Sequence, residues 1–203
     1  MRIGVLGTGM VGNAIAAKLA DLGHEVRIGS REAGEGKVTF ADAAAFGELV
    51  FNCTSGVHSL AALEAAGADN LVGKVLIDVA NSLDFSAGRP PTLAVANTDS
   101  LGEQIQRAFP AARVVKALNT MNCEVMVDPG KVPGAHNVFV CGDDADAKLQ
   151  VGDLLQSFGW PAESIVDLDG IEAARGAEMY VALWLRLWGA VGTGNFNIAV
   201  VRG

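Results

Sequence analysis

The sequence predicts an α/β fold: a doubly wound, mostly parallel sheet closed by a C-terminal helix. Three observations carry this expectation. Short strand-like apolar runs alternate with helix-like runs along the chain, which is the pattern of a parallel sheet wrapped by helices. A Gly-x-Gly-x-x-Gly motif, Gly7-Thr8-Gly9-Met10-Val11-Gly12, leaves the first strand and opens the first helix. The chain has 203 residues, 50% of them apolar and 19% charged, which excludes a disordered polypeptide and suffices for one domain with a substantial core.

The elements follow in order. Ile3–Leu6 is a short apolar strand. In Met10–Leu22, apolar Val11, Ile15, Leu19 and Leu22 recur at helical spacing, and Gly23 ends the helix. Glu25–Ile28 reads as the second strand, followed by a polar, glycine-rich stretch, Gly29–Lys37. Phe40–Phe46 is a short helix, Leu49–Cys53 a third strand, Ser59–Ala66 a helix and Val75–Val79 a fourth strand. The segment from Asn81 to Thr98 reads as loop, because Arg89-Pro90-Pro91 continues neither a helix nor a central strand. Leu101–Phe109 is a helix stopped by Pro110. Arg113–Leu118 and Val138–Cys141 are the fifth and sixth strands. Asp143–Phe158 is a helix whose acidic start suits its dipole. Ile165–Leu168 is a seventh strand, and a long helix from Ile171 to about Ala190 closes the fold. The chain reads as a single unit, 1–203, with a C-terminal helical extension from about residue 171.

Composition excludes several classes of function. A formal net charge of -8 argues against sequence-independent nucleic-acid binding. Cys53, Cys123 and Cys141 are scattered, without metal-ligand spacing, and read as free thiols of a reducing compartment; no metal site is expected. The start, Met1-Arg2 followed by four apolar residues, does not read as a signal peptide. Met179–Val191 is too short, and carries Arg186, to span a bilayer. A soluble cytoplasmic protein is the expectation.

In its strand-to-helix context the glycine motif is a dinucleotide signal of the Rossmann type. Gly7 permits the tight turn, Gly9 the approach of a pyrophosphate, and Gly12 close packing of helix on strand. Free N–H groups and the positive helix end face the phosphates. At the end of the second strand an NAD site would place a carboxylate on the ribose 2′-hydroxyl. Here Gly29-Ser30-Arg31 offers a hydroxyl and a guanidinium, which suit a 2′-phosphate and therefore NADP(H).

A proton relay is hard to find. Tyr180 lies in the last helix without a lysine partner four residues on. His24 and His136 start strands and so fall at the wrong edge of the sheet. His58 follows the third strand, near where ligands bind. Lys116 lies within the fifth strand, and either faces the cleft or pairs with a carboxylate. Scarcity of acid–base groups favours hydride transfer between two ring cofactors, in which the protein supplies alignment.

The chain resembles the NADPH:coenzyme F420 oxidoreductase family. The resemblance rests on the glycine motif, on Gly29-Ser30-Arg31, on Val114-Val115-Lys116-Ala117-Leu118-Asn119-Thr120 and on Val140-Cys141-Gly142-Asp143-Asp144. It implies a homodimer, NADP(H) at the glycine loop and a deazaflavin stacked on the nicotinamide at the C-terminal edge of the sheet. Thr54, His58 and Asn81 would then line the nicotinamide, and Asn119, Thr120 and Met121 the acceptor side, with Cys53 a further candidate for cofactor binding. Asn81 also reads as a simple turn residue. Two positions depart from archaeal members: Thr54-Ser55-Gly56 replaces an Ile-Pro-Trp loop, and Asn119 replaces a histidine. The Lys-Ala-Leu-Asn-Thr version is similar to the oxidoreductase domains of six-transmembrane metalloreductases, which pass hydride from NADPH to a flavin.

The expected function is hydride transfer between NADPH and F420 or a flavin, with no residue assigned to acid–base catalysis. Arg89, Lys131 and Arg186 are candidates for an anionic F420 tail. The alternatives are an NADPH-dependent imine or carbonyl reductase and a non-catalytic NADP(H)-binding sensor or partner protein. The apolar C-terminal helix, with Tyr180, Val181, Leu183, Trp184, Leu185, Leu187 and Trp188 nearly all round it, is the expected dimer contact.

Overall fold

Strand β1 (Arg2–Leu6) ends at Gly7, whose φ of 120° is a conformation that disfavours any side chain. Helix α1 (Met10–Asp21) starts three residues later. The chain continues through β2 (Glu25–Ser30), β3 (Val38–Thr39), α2 (Phe40–Phe46), β4 (Leu49–Asn52), α3 (Ser59–Ala66) and β5 (Val75–Asp78). A small pair, β6 (Leu83–Asp84) and β7 (Thr92–Leu93), precedes α4 (Leu101–Ala108), β8 (Arg113–Ala117) and α5 (Cys123–Val127). Strand β9 (Val138–Cys141), α6 (Ala145–Phe158), β10 (Ile165–Asp167) and α7 (Ala174–Val191) complete it. This computed structural model describes all residues from Met1 to Gly203.

Eight strands form one sheet in the order β10-β9-β8-β5-β4-β1-β2-β3. Every neighbouring pair in it is parallel except β8 and β9. From β1 the chain winds outward through β2 and β3, then returns to β4 on the other side of β1. The strand order therefore reverses between β1 and β4, where open parallel sheets bind ligands beyond their C-terminal ends.

Strand residues alternate between two cores. Ile3, Val5, Leu49, Phe51, Val75, Ile77, Val115 and Ala117 face the layer of α1, α5 and α6. Leu6, Val50, Leu76 and Val114 face α2, α3, α4 and the start of α7. The same alternation puts Asn52, Asp78 and Lys116 in one row of the second face, since Asn52 pairs with Asp78 and Asp78 with Lys116.

That row is buried and polar, and all three side chains are fully shielded from solvent. The Lys116 ammonium lies 2.7 Å from Asp78 Oδ2 and 2.8 Å from Glu178 Oε1 of α7, and donates to the Ala80 carbonyl at 2.5 Å. All three of its protons are thereby used. Burial alone would push the ammonium pKa down; the Asp78 and Glu178 carboxylates outweigh that and hold it above the ordinary lysine value. Glu178 in turn accepts the N–H groups of Leu101 at 2.9 Å and Gly102 at 3.0 Å, capping α4 from a distant helix. The two readings left open for Lys116 resolve to carboxylate pairing.

Three features escaped the sequence pattern. The segment expected as loop contains the antiparallel β6–β7 pair, whose strands are two residues each and carry no readable alternation. Strand β3 extends the sheet by two residues at its edge. Helix α5, five residues capped by the Asn122 side chain, is too short to show a period. The last helix enters through a 3-10 turn, Ile171–Ala173.

Helix α7 buries Ala174, Ala177, Glu178 and Val181. It leaves Leu183, Trp188 and Val191 exposed, each at about half or more of its surface. No helix is long and apolar enough to cross a membrane.

Replacing Lys116 by Met would leave two carboxylates buried without their cation. We expect Lys116→Met to lose about 3–5 kcal/mol of stability, read by urea denaturation followed through tryptophan fluorescence. A loss below about 1 kcal/mol would mean that water reaches this row.

Candidate cofactor site

The glycine loop is held from two sides. A Cβ on Gly12 would lie 2.1 Å from the Gly7 carbonyl oxygen, and one on Gly7 would lie 2.6 Å from that of Cys53. The loop therefore rests directly on the segment that follows β4. Asn13 Nδ2 donates to the Thr8 carbonyl at 2.9 Å and fixes the loop further. Gly9 is the N-cap of α1 without any side-chain cap, and the first turn of α1 carries no acidic residue. Its N–H groups are open to an anion. Of the two other residues of the motif, Met10 points outward, 83% exposed, and Val11 packs on the core. Their backbone, not their side chains, belongs to the loop's surface.

Two joined cavities open on this loop. One, about 590 Å³, is lined by Gly7, Thr8, Gly9, Arg31, Phe40, Cys53, Thr54, Ser55, His58 and three alanines of α3, Ala61, Ala62 and Ala65. The other, about 560 Å³, is lined by Gly7, Thr8, Phe40 and the turn after β2, from Ser30 to Glu35, with Lys37. Arg31 lines both. The first has an apolar floor of small side chains against which a flat ring can lie. The second holds two cations, Arg31 and Lys37, with Glu32 and Glu35 beside them. Lys37 and Phe40 were not singled out in the sequence, although a lysine ending a polar stretch after the second strand was a legible signal. The alanines of α3 carried none.

Ser30 lies in the second cavity, but its hydroxyl donates to the Glu32 carbonyl. Arg31 and Lys37 are thus the side-chain cations available there. Thr54 is tied to Asn52 and Ser59 at 2.7 and 2.9 Å. Cys53 is buried, and burial together with the Asp78 charge raises its thiol pKa far above the ordinary value.

The residues expected around the nicotinamide and acceptor are not gathered in these cavities. Cys53, Thr54 and His58 share the first cavity with Arg31, whereas Asn81, whose backbone packs against Gly56, does not line it. Asn81 Nδ2 donates to the Asn119 carbonyl at 2.8 Å, and Asn119 Nδ2 returns a bond to Asn81 Oδ1 at 3.0 Å and another to the Ala177 carbonyl at 3.1 Å. Leu118, just before, has φ 64°, a left-handed conformation uncommon for leucine that turns the chain out of β8. Asn119, Thr120 and Met121 are 3%, 2% and 6% exposed. Met121 belongs to the core of α1, α5 and α6, because the chain after β8 turns under the sheet. Of the three residues expected at the acceptor side, Asn119 and Met121 are committed to internal contacts. Thr120 Oγ1 is the exception, buried without any hydrogen-bond partner.

The cations expected for an anionic tail do not converge either. Lys131 is held by Glu124 at 2.8 Å, Arg89 lies over the Phe85 ring at 5.2 Å, and neither they nor Arg186 line the two cavities. His136 is buried and bonded to the Pro129 carbonyl and Asn197.

A doubly wound sheet with this loop and these cavities defines a dinucleotide-binding protein of the Rossmann class. Comparison with known proteins narrows the class. Residues 2–82 match the family described as NADP oxidoreductase, coenzyme F420-dependent. The crystal structure of a protein from Arthrobacter sp. FB24, assigned as an F420-dependent NADP-reductase, is 55% identical, covers 100% of both chains and superposes with a TM-score of 0.95. The chain belongs to this family of NADP-dependent oxidoreductases. Metalloreductase STEAP3 of Rattus norvegicus is 28% identical over 92% of this chain, and metalloreductase STEAP2 of Homo sapiens 24% over 92%. The chain spans 38% and 37% of the length of those relatives. A reductive aminase from Aspergillus terreus in complex with NADPH and ethyl levulinate shares the fold, with a TM-score of 0.65 at 17% identity over 94% of this chain and 62% of that one.

The thiols give a direct check on the packing. Cys53 and Cys141 are buried, and burial pushes Cys141 up to about 12, whereas Cys123 is partly exposed. In the native protein at pH 8 we expect iodoacetamide to label Cys123 well before the other two, as read by mass spectrometry of peptides. Rapid labelling of Cys53 would show that the floor of the first cavity opens to solvent.

Proposed function

We propose that the chain binds NADP(H) across the two joined cavities and exchanges hydride between it and a deazaflavin or flavin ring. The single observation that carries the reading is Arg31 standing at the junction of an apolar slot and a polar turn that also presents Lys37, both opening on an uncapped helix N-terminus. In this reading the N–H groups of α1 hold the pyrophosphate, and Arg31 and Lys37 hold the 2′-phosphate. The alanines of α3 and Phe40 flank the adenine. The cofactor, when bound, supplies the hydride. The chain's own residues orient it and exclude water.

The choice of a ring acceptor is supported by the chemistry of what surrounds the end of β8. Asn119 can donate or accept hydrogen bonds but is no proton acid near neutral pH. Hydride passing to a ring that takes its proton from solvent needs no such acid. The names of the matching family and of the Arthrobacter protein favour the same class. Asn119, Thr120 and Asn81 then act at the acceptor side as a framework, with Thr120 Oγ1 as the free polar atom. His58 borders the cofactor slot. The reading includes a reducing cytoplasmic setting for the buried thiols, one folded unit across 1–203, and a homodimer through the exposed apolar side of α7.

Three outcomes test it. Arg31→Ala should weaken NADPH binding roughly tenfold and leave NADH nearly unchanged; equal affinities of the two cofactors for the wild type would refute the 2′-phosphate site. NADPH oxidation at 340 nm should require F420, FMN or FAD, and absence of turnover with all three would refute the acceptor class. Analytical ultracentrifugation at micromolar concentration should give a dimer, and a monomer would leave Leu183, Trp188 and Val191 in water.

A further inference from the structure

We propose that Thr54 is a specificity residue for the cofactor, presenting to it an oxygen that can only accept a hydrogen bond. The proposal rests on the NADP(H) reading above and on none of the statements about the acceptor. It follows from counting protons along the buried row. Asp78 is an ionised carboxylate held by Lys116 at 2.7 Å, so it can only accept. The Asn52 side chain reaches it at 2.8 Å, and the atom that does so must be the amide nitrogen. That fixes the amide orientation. The second proton of the same Nδ2 goes to Ser59 Oγ at 3.0 Å.

Asn52 Oδ1 is then directed at Thr54. It accepts the Thr54 backbone N–H at 3.3 Å and lies 2.7 Å from Thr54 Oγ1. Because Oδ1 carries no proton, the hydroxyl proton of Thr54 must point at it. Thr54 Oγ1 also lies 2.9 Å from Ser59 Oγ. Thr54 has already committed its only proton, so the proton in that contact is Ser59's, and the other acceptor within reach of the Ser59 hydroxyl, the Ser55 carbonyl, is farther away at 3.4 Å. Thr54 Oγ1 has therefore donated once and accepted once, and one lone pair remains. Thr54 lines the first cavity beside the glycine loop, so in the proposal that lone pair is the one offered to the cofactor.

An oxygen so committed discriminates. It welcomes an N–H or O–H donor, and it cannot donate to a phosphate or a carbonyl without breaking the bond to Asn52. The parts of a dinucleotide with that chemistry are the carboxamide amine, the ribose hydroxyls and the adenine amine. The direction of the bond is set two side chains away, by the charge on Asp78.

The test measures NADP(H) affinity by fluorescence titration for wild type, Thr54→Val and Thr54→Ser. Thr54→Val should raise the Kd for NADPH about tenfold, and Thr54→Ser, which keeps the oxygen, should restore it to within about twofold of wild type. Analogues identify the donor: 3-acetylpyridine for the carboxamide, deoxyribose forms for the hydroxyls and hypoxanthine for the adenine amine. One of them should bind wild type about tenfold more weakly than NADP(H) and bind Thr54→Val no more weakly than NADP(H) does. A merely structural role for Thr54 would move all ligands equally. Equal affinity of wild type and Thr54→Val, no restoration by serine, or no analogue coupled to position 54 would each overturn the proposal. A wild type that binds no NADPH would overturn the cofactor reading itself.

Discussion

The constraint on which the rest of the structure depends is one buried positive charge. A lysine ammonium removed from water costs several kcal/mol unless its protons are met by acceptors in good geometry. Here they are met from three separate parts of the chain: a carboxylate on the neighbouring strand, a carboxylate on the last helix and the carbonyl of Ala80. Each acceptor can serve only if its own element is in place. The β5–β8 register must bring Asp78 opposite Lys116, since a slip by one residue would send Lys116 into the apolar core of α1, α5 and α6. Helix α7 must dock with Glu178 inward, and that side chain then supplies the missing acceptors at the start of α4. The interior charge thus works as a registration pin for two strands and two helices.

Much of this fold was legible in the sequence, for identifiable reasons. Gly7 and Gly12 announced the first turn because the close approaches they make forbid a Cβ, so the residue type itself encodes the geometry. The order of strand and helix up to β5, the two-residue β3 apart, and the location of α7 could be read from the sequence pattern. Arg31 could be placed beside the glycine loop because it follows a strand end at a known distance from the glycines, whereas the turn of the Ser30 hydroxyl onto the Glu32 carbonyl left no local signal. What could not be read depends on contacts far apart in the chain. Met121 looked like a residue for a ring to rest on, and only the turn at Leu118 shows it entering the core. Lys116 was ambiguous because Glu178 is 62 positions away and nothing local joins them. The β6–β7 pair has too few residues for any pattern to register.

The chain carries a formal net charge of -8, yet its candidate ligand is a polyanion. The structure reconciles the two locally. No acidic side chain occupies the first turn of α1, and both cations of the second cavity sit on one short turn. Only about one Debye length of surface around a phosphate matters to its binding at physiological salt.

Glu178 also bears on how this fold can be joined to others. The last strand, β10, ends at Asp167, and a topologist would draw the boundary of the nucleotide-binding unit there. Cutting at that point would leave the interior ammonium with one carboxylate and leave α4 without its distant cap. The smallest transplantable unit therefore includes α7 at least through Glu178, so that helix is inherited with the sheet as a fixed terminal piece. A larger protein assembled on this unit can attach further segments beyond the helix, but cannot exchange the helix for them without rebuilding the interior.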